Sequence, residues 1–170
     1  MKRGSKRATR PARSTHFDAK GGARMVDVGA KPATAREAIA RGRIEMSAEA
    51  LEAVVSGTAA KGDVLGVARV AAIQAAKRTS EWIPLCHPLP LDALEIDFAP
   101  ESAPPAISIE ARARPTAKTG VEMEALVAVS AAALAIYDMC KSIDRGMMIG
   151  ELRLVRKSGG KSGTYTRLGG

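Results

Sequence analysis

The stretch Ile83-Pro84-Leu85-Cys86-His87-Pro88-Leu89 sets a thiol and an imidazole in a segment whose prolines fix the backbone. A fixed backbone holds a side chain in one pose, which suits a binding or catalytic group. His87 is the only histidine of the chain outside the N-terminal segment. It reads equally as a structural hydrogen-bond donor and as a functional group. A Cys–His nucleophilic pair is disfavoured, because neighbouring side chains diverge in extended chain. A zinc site is disfavoured as well. Cys86, Cys140 and His87 fall short of a structural set of four ligands, and carboxylates would have to complete a catalytic one. No metal site is expected.

Asp138 and Lys141 stand three apart at the end of an uncharged run, so they share a helix face. They form either a surface ion pair or a carboxylate and an ammonium able to move protons. Lys61 lies just ahead of a predicted helix start, where the helix dipole disfavours positive charge. That pushes it toward neutrality and general-base duty, unless it is an ordinary loop lysine. Glu122 reads first as a capping residue of a long helix. Glu124, two positions on, is either a solvated first-turn acid or a partner for a substrate. The run Lys157-Ser158-Gly159-Gly160-Lys161-Ser162-Gly163 invites a P-loop reading, but that motif needs glycine where Val155 stands, and it must open a helix. Its lysines and free amides still suit phosphates. Several lysines, one histidine and one aspartate, with no stacking platform, describe a polyphosphate substrate undergoing proton transfers.

The elements that must position these groups follow from periodicity. Ala38, Ala40, Gly42, Ile44 and Met46 make the apolar face of a strand over 37–46, with helix a fair rival because of the alanines. Ser47 caps a short helix ending at Gly57, and Asp63 caps a second over 64–78. Leu94, Ile96 and Phe98 alternate with acids in a strand. Pro100, Pro104 and Pro105 punctuate a longer connector, and Ile107, Ile109, Ala111 and Ala113 mark the next strand. Thr119 to Glu122 has the capping-box pattern, opening a helix that runs to about Cys140. Its segment Ala125–Ile136 carries no charge and is predicted to be buried. Leu152 and Leu154 signal a last strand. The order β-α-β-β-α-β is the ferredoxin-like one, an α+β fold with an antiparallel sheet and its helices on one face. The open sheet face needs cover, which oligomerisation would supply.

With 170 residues, 46% of them hydrophobic, the chain is long enough for one cored domain. No apolar run approaches a membrane span in the sequence alone, and the two cysteines make no disulfide scaffold, so a cytoplasmic protein without a membrane is expected. The net charge of +8 is uneven. Residues 1–24 hold eight Lys and Arg against the single acid Asp18, whereas residues 25–170 hold 18 bases and 17 acids. The basic character belongs to a disordered tail over 1–24, and a single ferredoxin-like catalytic domain occupies 25–170. No nucleic-acid partner is expected. RNA-binding domains of the same element order stack bases on aromatics of their central strands, and here aromatics are only 3% of the chain.

Seven segments resemble the cyclic pyranopterin monophosphate synthase family, the C proteins of molybdenum-cofactor biosynthesis. They are Met25–Val28, Lys61–Val64, Gln74–Thr79, Ile83–Pro88, Lys118–Leu126, Ile136–Lys141 and Lys157–Gly163, in the family's order. The resemblance implies a ferredoxin-like fold and a phosphorus–oxygen lyase. Its substrate would be 3′,8-cyclo-7,8-dihydroguanosine 5′-triphosphate, made by an upstream radical-SAM enzyme. The purine would be rearranged into a pyranopterin, a cyclic phosphate closed and pyrophosphate released. By motif position Asp138 is implied as the catalytic aspartate, with Lys61 and Lys141 as acid–base lysines. Leu85, Cys86, His87, Met123 and Glu124 would line the substrate pocket, and Lys157 would lie on the phosphate side. No cofactor is required by the sequence, and Mg²⁺ is compatible with the triphosphate. The resemblance further implies a homohexamer, a trimer of dimers, with sites at subunit interfaces. The rival reading is a non-catalytic ferredoxin-like module that binds an anionic small ligand.

Overall fold

A computed structural model describes residues 20–168, so most of the basic segment 1–24 lies outside the described residues. The main sheet is built on strand β2 (Glu37–Glu45), which pairs antiparallel with β4 (Pro105–Arg114) on one side and β6 (Met148–Ser158) on the other. Strand β3 (Ala93–Ser102) closes one edge, and β7 (Tyr165–Thr166) pairs with the end of β6. The order β3-β4-β2-β6 is that of the ferredoxin-like fold, as the element sequence predicts. A separate ribbon joins β1 (Thr34–Ala35) to β5 (Thr116–Ala117).

Helices α1 (Ala48–Val55), α2 (Val64–Lys77) and α4 (Glu122–Cys140) cover one face of the sheet, and a single turn, α3 (Thr79–Trp82), follows α2. Both predicted caps form: the Ser47 side chain accepts from the Ala50 amide and the Asp63 side chain from the Gly66 amide. The even residues of β2 point at the helices, with Ala38, Ala40 and Ile44 fully buried. Ile107, Ile109, Ala111, Ala113 and Ile96 complete the sheet side of the core, and Val129, Ala132 and Ile136 the α4 side. By length and composition α4 could cross a membrane, which the sequence reading did not anticipate; here it is the core helix, more than half buried against sheet and α2.

Three expectations need correction. The connector between β3 and β4 is a two-residue turn, Ala103-Pro104, because β3 runs through Pro100 to Ser102. Pro100 is tolerated there since β3 is an edge strand. The capping box does not form: Val121 is the N-cap of α4, with no side-chain capping bond, and Glu122 turns to Lys157 instead. The open sheet face is not bare. Arg41 pairs with Glu110, Arg43 with Glu45 and Glu101, and Arg112 and Arg114 with Glu95.

Candidate functional site

A cavity of about 850 Å³ opens where four pieces of chain meet. One wall is the segment ahead of β2, with Val26, Val28, Lys31, Pro32, Thr34 and Arg36. The β1–β5 ribbon ties that wall to Lys118, Thr119 and Gly120. The proline-locked loop brings Leu85, Cys86 and His87, and the first turn of α4 brings Glu122, Met123 and Glu124. The end of β6 and its glycine loop bring Lys157, Gly160, Lys161 and Ser162. All six side chains expected to bind substrate (Leu85, Cys86, His87, Met123, Glu124 and Lys157) therefore line one cavity.

Its electrostatics are two-sided. Lys31, Arg36, Lys118, Lys157 and Lys161 line it with positive charge, against Glu122 and Glu124. Lys157 Nζ lies 3.2 Å from Glu122 Oε1 and donates to Ser162 Oγ at 2.8 Å, so the strand end, the loop and the helix start are held together. Lys118 donates to the Gly29 carbonyl at 2.8 Å. Glu124 is only 3% exposed. Burial first, then the neighbouring Glu122 carboxylate, pushes its carboxyl above the usual range, against the pull of its own backbone amide. Burial, with Glu124 adding to it, pushes the Cys86 thiol up as well. A thiol so held is a poor nucleophile, which agrees with the case against a Cys–His pair. The His87 ring takes no protein hydrogen bond or ion pair among the described residues, which leaves both nitrogens for a ligand and disfavours the structural-donor reading. Among the described residues, no three His, Cys, Asp or Glu side chains gather to hold a metal ion.

The other three expected residues form a second group. Gly62, at φ +88°, turns the chain between Lys61 and the cap Asp63, and Lys61 reaches the last turn of α4. Its Nζ donates to the Asp138 carbonyl at 2.8 Å and to Asp138 Oδ2 at 3.0 Å. Lys141 Nζ lies 2.6 Å from Asp138 Oδ1. Asp138 thus bridges two ammonium groups, and Lys141 first, then Lys61, holds its carboxyl below the usual range. Lys61 is therefore engaged with a carboxylate of α4 rather than an ordinary loop lysine. Behind the group sits Cys140, fully buried, its thiol pushed up by burial and eased down by Lys61.

The two groups do not meet within one chain. Glu124 and Asp138 sit at opposite ends of α4, fourteen positions apart, which at ~1.5 Å per residue is about 21 Å. Sequence reasoning also passed over Lys31, Thr34 and Arg36. The available signal was two basic residues, Lys31 and Arg36, ahead of β2. The Thr34 hydroxyl is buried without a partner.

Residues 25–160 match the sequence profile of the MoaC family. The chain belongs to this family. It is 59% identical over 155 residues to the cyclic pyranopterin monophosphate synthase of Pelotomaculum thermopropionicum, with 91% of each chain covered. It is 60% identical over 153 residues to the enzyme of that name from Chloroflexus aggregans, covering 90% of this chain and 93% of the relative. The corresponding protein of Heliobacterium modesticaldum is 58% identical over 153 residues, with 90% and 96% covered. The matched span contains the cavity residues from Val26 to Gly160, together with Lys61, Asp138 and Lys141; Lys161 and Ser162 lie just beyond it.

Proposed function

We propose that the chain is a cyclic pyranopterin monophosphate synthase, a phosphorus–oxygen lyase of molybdenum-cofactor biosynthesis. It would act on 3′,8-cyclo-7,8-dihydroguanosine 5′-triphosphate supplied by a radical-SAM enzyme. The observation that carries the reading is a cavity of about 850 Å³ lined by five lysine and arginine side chains, four of them (Lys31, Arg36, Lys118 and Lys157) inside the span that matches the family. The volume suits a nucleotide-sized ligand. The cations neutralise a triphosphate and the charge that moves onto pyrophosphate as it leaves. Closing the cyclic phosphate needs a ligand hydroxyl aimed at the α-phosphorus. Its oxygen forms the new P–O bond, the bond to pyrophosphate breaks, and the hydroxyl proton passes to a protein base.

Asp138 with Lys61 and Lys141 is the proton-handling group: one carboxylate shared by two ammonium groups can give and take protons along short hydrogen bonds. Because α4 keeps it about 21 Å from Glu124, a complete site takes the cavity from one subunit and the Asp138 group from a partner. The outer edge of β6 over 148–153 pairs with no strand among the described residues and exposes Met148, Ile149 and Leu152, which supports assembly into a homohexamer. Mg²⁺ would enter with the triphosphate. Glu122 and Glu124 are the only acids among the residues that line the cavity, and Glu122 already pairs with Lys157, so phosphate oxygens would supply most of the ligands. Cys86 and Cys140 are free thiols, which suits a reducing cytoplasm.

The test is turnover of the cyclised dihydro-GTP, followed by pyrophosphate release and pyranopterin formation. Wild type should turn over, and Asp138→Asn and Lys61→Ala should not. Mixing Asp138→Asn subunits with His87→Ala subunits should restore activity, since some sites then combine an intact cavity with an intact Asp138 group. Tight binding without product from wild type would make the chain a non-catalytic ligand module. Failure of the mixture would return the whole site to one chain.

A further inference from the structure

We propose that the Gly159-Gly160 step keeps the Arg36 guanidinium open as a fixed fork for one phosphate group of the ligand. The inference deepens the reading above, from which it takes a triphosphate as ligand. Pairing of β2 with β6 ends at Glu37 and Ser158, so the two glycines run on directly beside Ala35 and Arg36. Both are in the left-handed region, Gly159 at φ +97° and Gly160 at φ +68°. A Cβ on Gly159 would run into the Ala35 carbonyl oxygen and lie 3.1 Å from Cα and Cγ of Arg36. A Cβ on Gly160 would lie 2.8 Å from Cζ and Nη2 of Arg36, and closer still to Nη1. Closest approach to Nη1, then equally to Cζ and Nη2, puts that Cβ beyond the outer edge of the fork, so a side chain at 160 would stand where the two terminal nitrogens point.

The other side of the fork is fixed. Arg36 Nε donates to the Ala117 carbonyl at 2.9 Å, through the β1–β5 ribbon. Its Nη1 and Nη2 make no hydrogen bond or ion pair among the described residues, and Arg36 lines the cavity beside Lys157 and Lys161. A guanidinium with Nε satisfied and both terminal nitrogens open presents two parallel donors, the pattern that matches two oxygens of a phosphate. An unsupported arginine would lose much of this advantage to side-chain freedom. The Ala117 carbonyl removes part of that freedom, and glycine at 160 leaves clear the space in front of Nη1 and Nη2 that a Cβ would fill.

The experiment is calorimetric titration of the full-length protein with inorganic triphosphate. Wild type, Arg36→Ala, Gly160→Ala, Gly163→Ala and the Arg36→Ala/Gly160→Ala double variant are compared, each with a thermal melt. Gly163 is the strain control: at φ +64° it bears the same backbone penalty, but nothing lies within 4 Å of its Cβ position. Arg36→Ala should weaken binding about 10–100-fold, as for a charge-assisted bidentate pair. Gly160→Ala should weaken it by most of that factor, well beyond Gly163→Ala, and should add nothing once Arg36 is gone. Equal losses from the two glycine variants, or the same Gly160→Ala loss with and without Arg36, would overturn the proposal. The probe needs no turnover. A protein that shows this coupling yet forms no pyranopterin would sink the synthase reading and leave the fork standing.

Discussion

Gly42→Ala is the sharpest perturbation of how sheet and helix position the site. Gly42 lies in the middle of β2, beneath α4, and an added Cβ would sit 2.6 Å from Val129 Cγ1. Carbon atoms rest at ~3.5–4.0 Å, so the overlap is about 1 Å. Val129 is 1% exposed, and as a β-branched helical residue it is held near one rotamer, so it has nowhere to swing. Helix and strand must separate instead. Overpacking of this kind costs ~1–3 kcal/mol, and the gain from replacing glycine in a strand interior offsets roughly 0.5–1 kcal/mol of it. The net loss of up to about 2.5 kcal/mol, centred near ~1 kcal/mol, should lower Tm by a few degrees in a chain of this size. Activity should fall further than stability, because α4 carries Glu124 at one end and Asp138 at the other, and a misplacement of ~1 Å can reduce a rate ~100-fold.

The assay is a double-mutant cycle read by chemical denaturation and by turnover. Val129→Ala alone leaves a small cavity and costs about 2 kcal/mol. In that background the methyl added at position 42 enters vacated space, so Gly42→Ala should become neutral or stabilising and should recover activity. The next-nearest atoms to the added methyl, the Gly150 carbonyl oxygen at 3.7 Å and Leu152 Cδ1 at 3.8 Å, are in ordinary contact. If Gly42→Ala costs the same with and without the Val129 side chain, the clash is not the cause and the reasoning fails.

Three further outcomes follow from the charged groups. Lys141 is the largest influence holding the Asp138 carboxyl down, so Lys141→Ala should move its titration up toward the ordinary carboxylate range. Carboxyl-carbon NMR against pH reads this directly, and an unmoved titration would assign the depression elsewhere. A depressed carboxyl adds stability above its ordinary range and loses it as pH falls through the lowered value, so in wild type this contribution should survive mild acid. Glu124 works with the opposite sign, because its folded value is raised. Stability should decline as pH rises from the ordinary glutamate range to the raised one, and Glu124→Gln should flatten that decline in urea titrations at pH 5 and pH 8. A parallel pH dependence in the variant would show that the buried carboxyl is not its source.

Local chemistry made part of this architecture legible. Ser47 and Asp63 cap their helices through contacts within three residues, so the sequence contains everything that decides them. The alternation in Ile107–Ala113 is likewise a property of the strand alone. What escaped was decided at a distance. Thr119 to Glu122 has the letters of a capping box, but Lys157, 35 positions on, competes for the Glu122 carboxylate and wins it. The two-residue strands β1, β5 and β7 are too short to show a period, yet β1 and β5 bring Arg36 to the cavity. Pro100 looked like punctuation because the sequence does not say which strand is an edge.

The separation of Glu124 from Asp138 follows from the length of α4. The uncharged run from Ala125 to Ile136 must be helical and buried to leave water, and a helix of that length is a rigid spacer. Fourteen residues are close to four full turns, so Glu124 and Asp138 point in similar directions from opposite ends of it. No loop movement can bring them together while α4 stays folded, and α4 stays folded because it is the core. On the synthase reading proposed above, a ligand that needs both would be read by two copies of the chain. On that reading the same helix that stabilises the subunit would leave one subunit insufficient, and an isolated subunit that turned over substrate at the full rate would contradict it more directly than any single substitution.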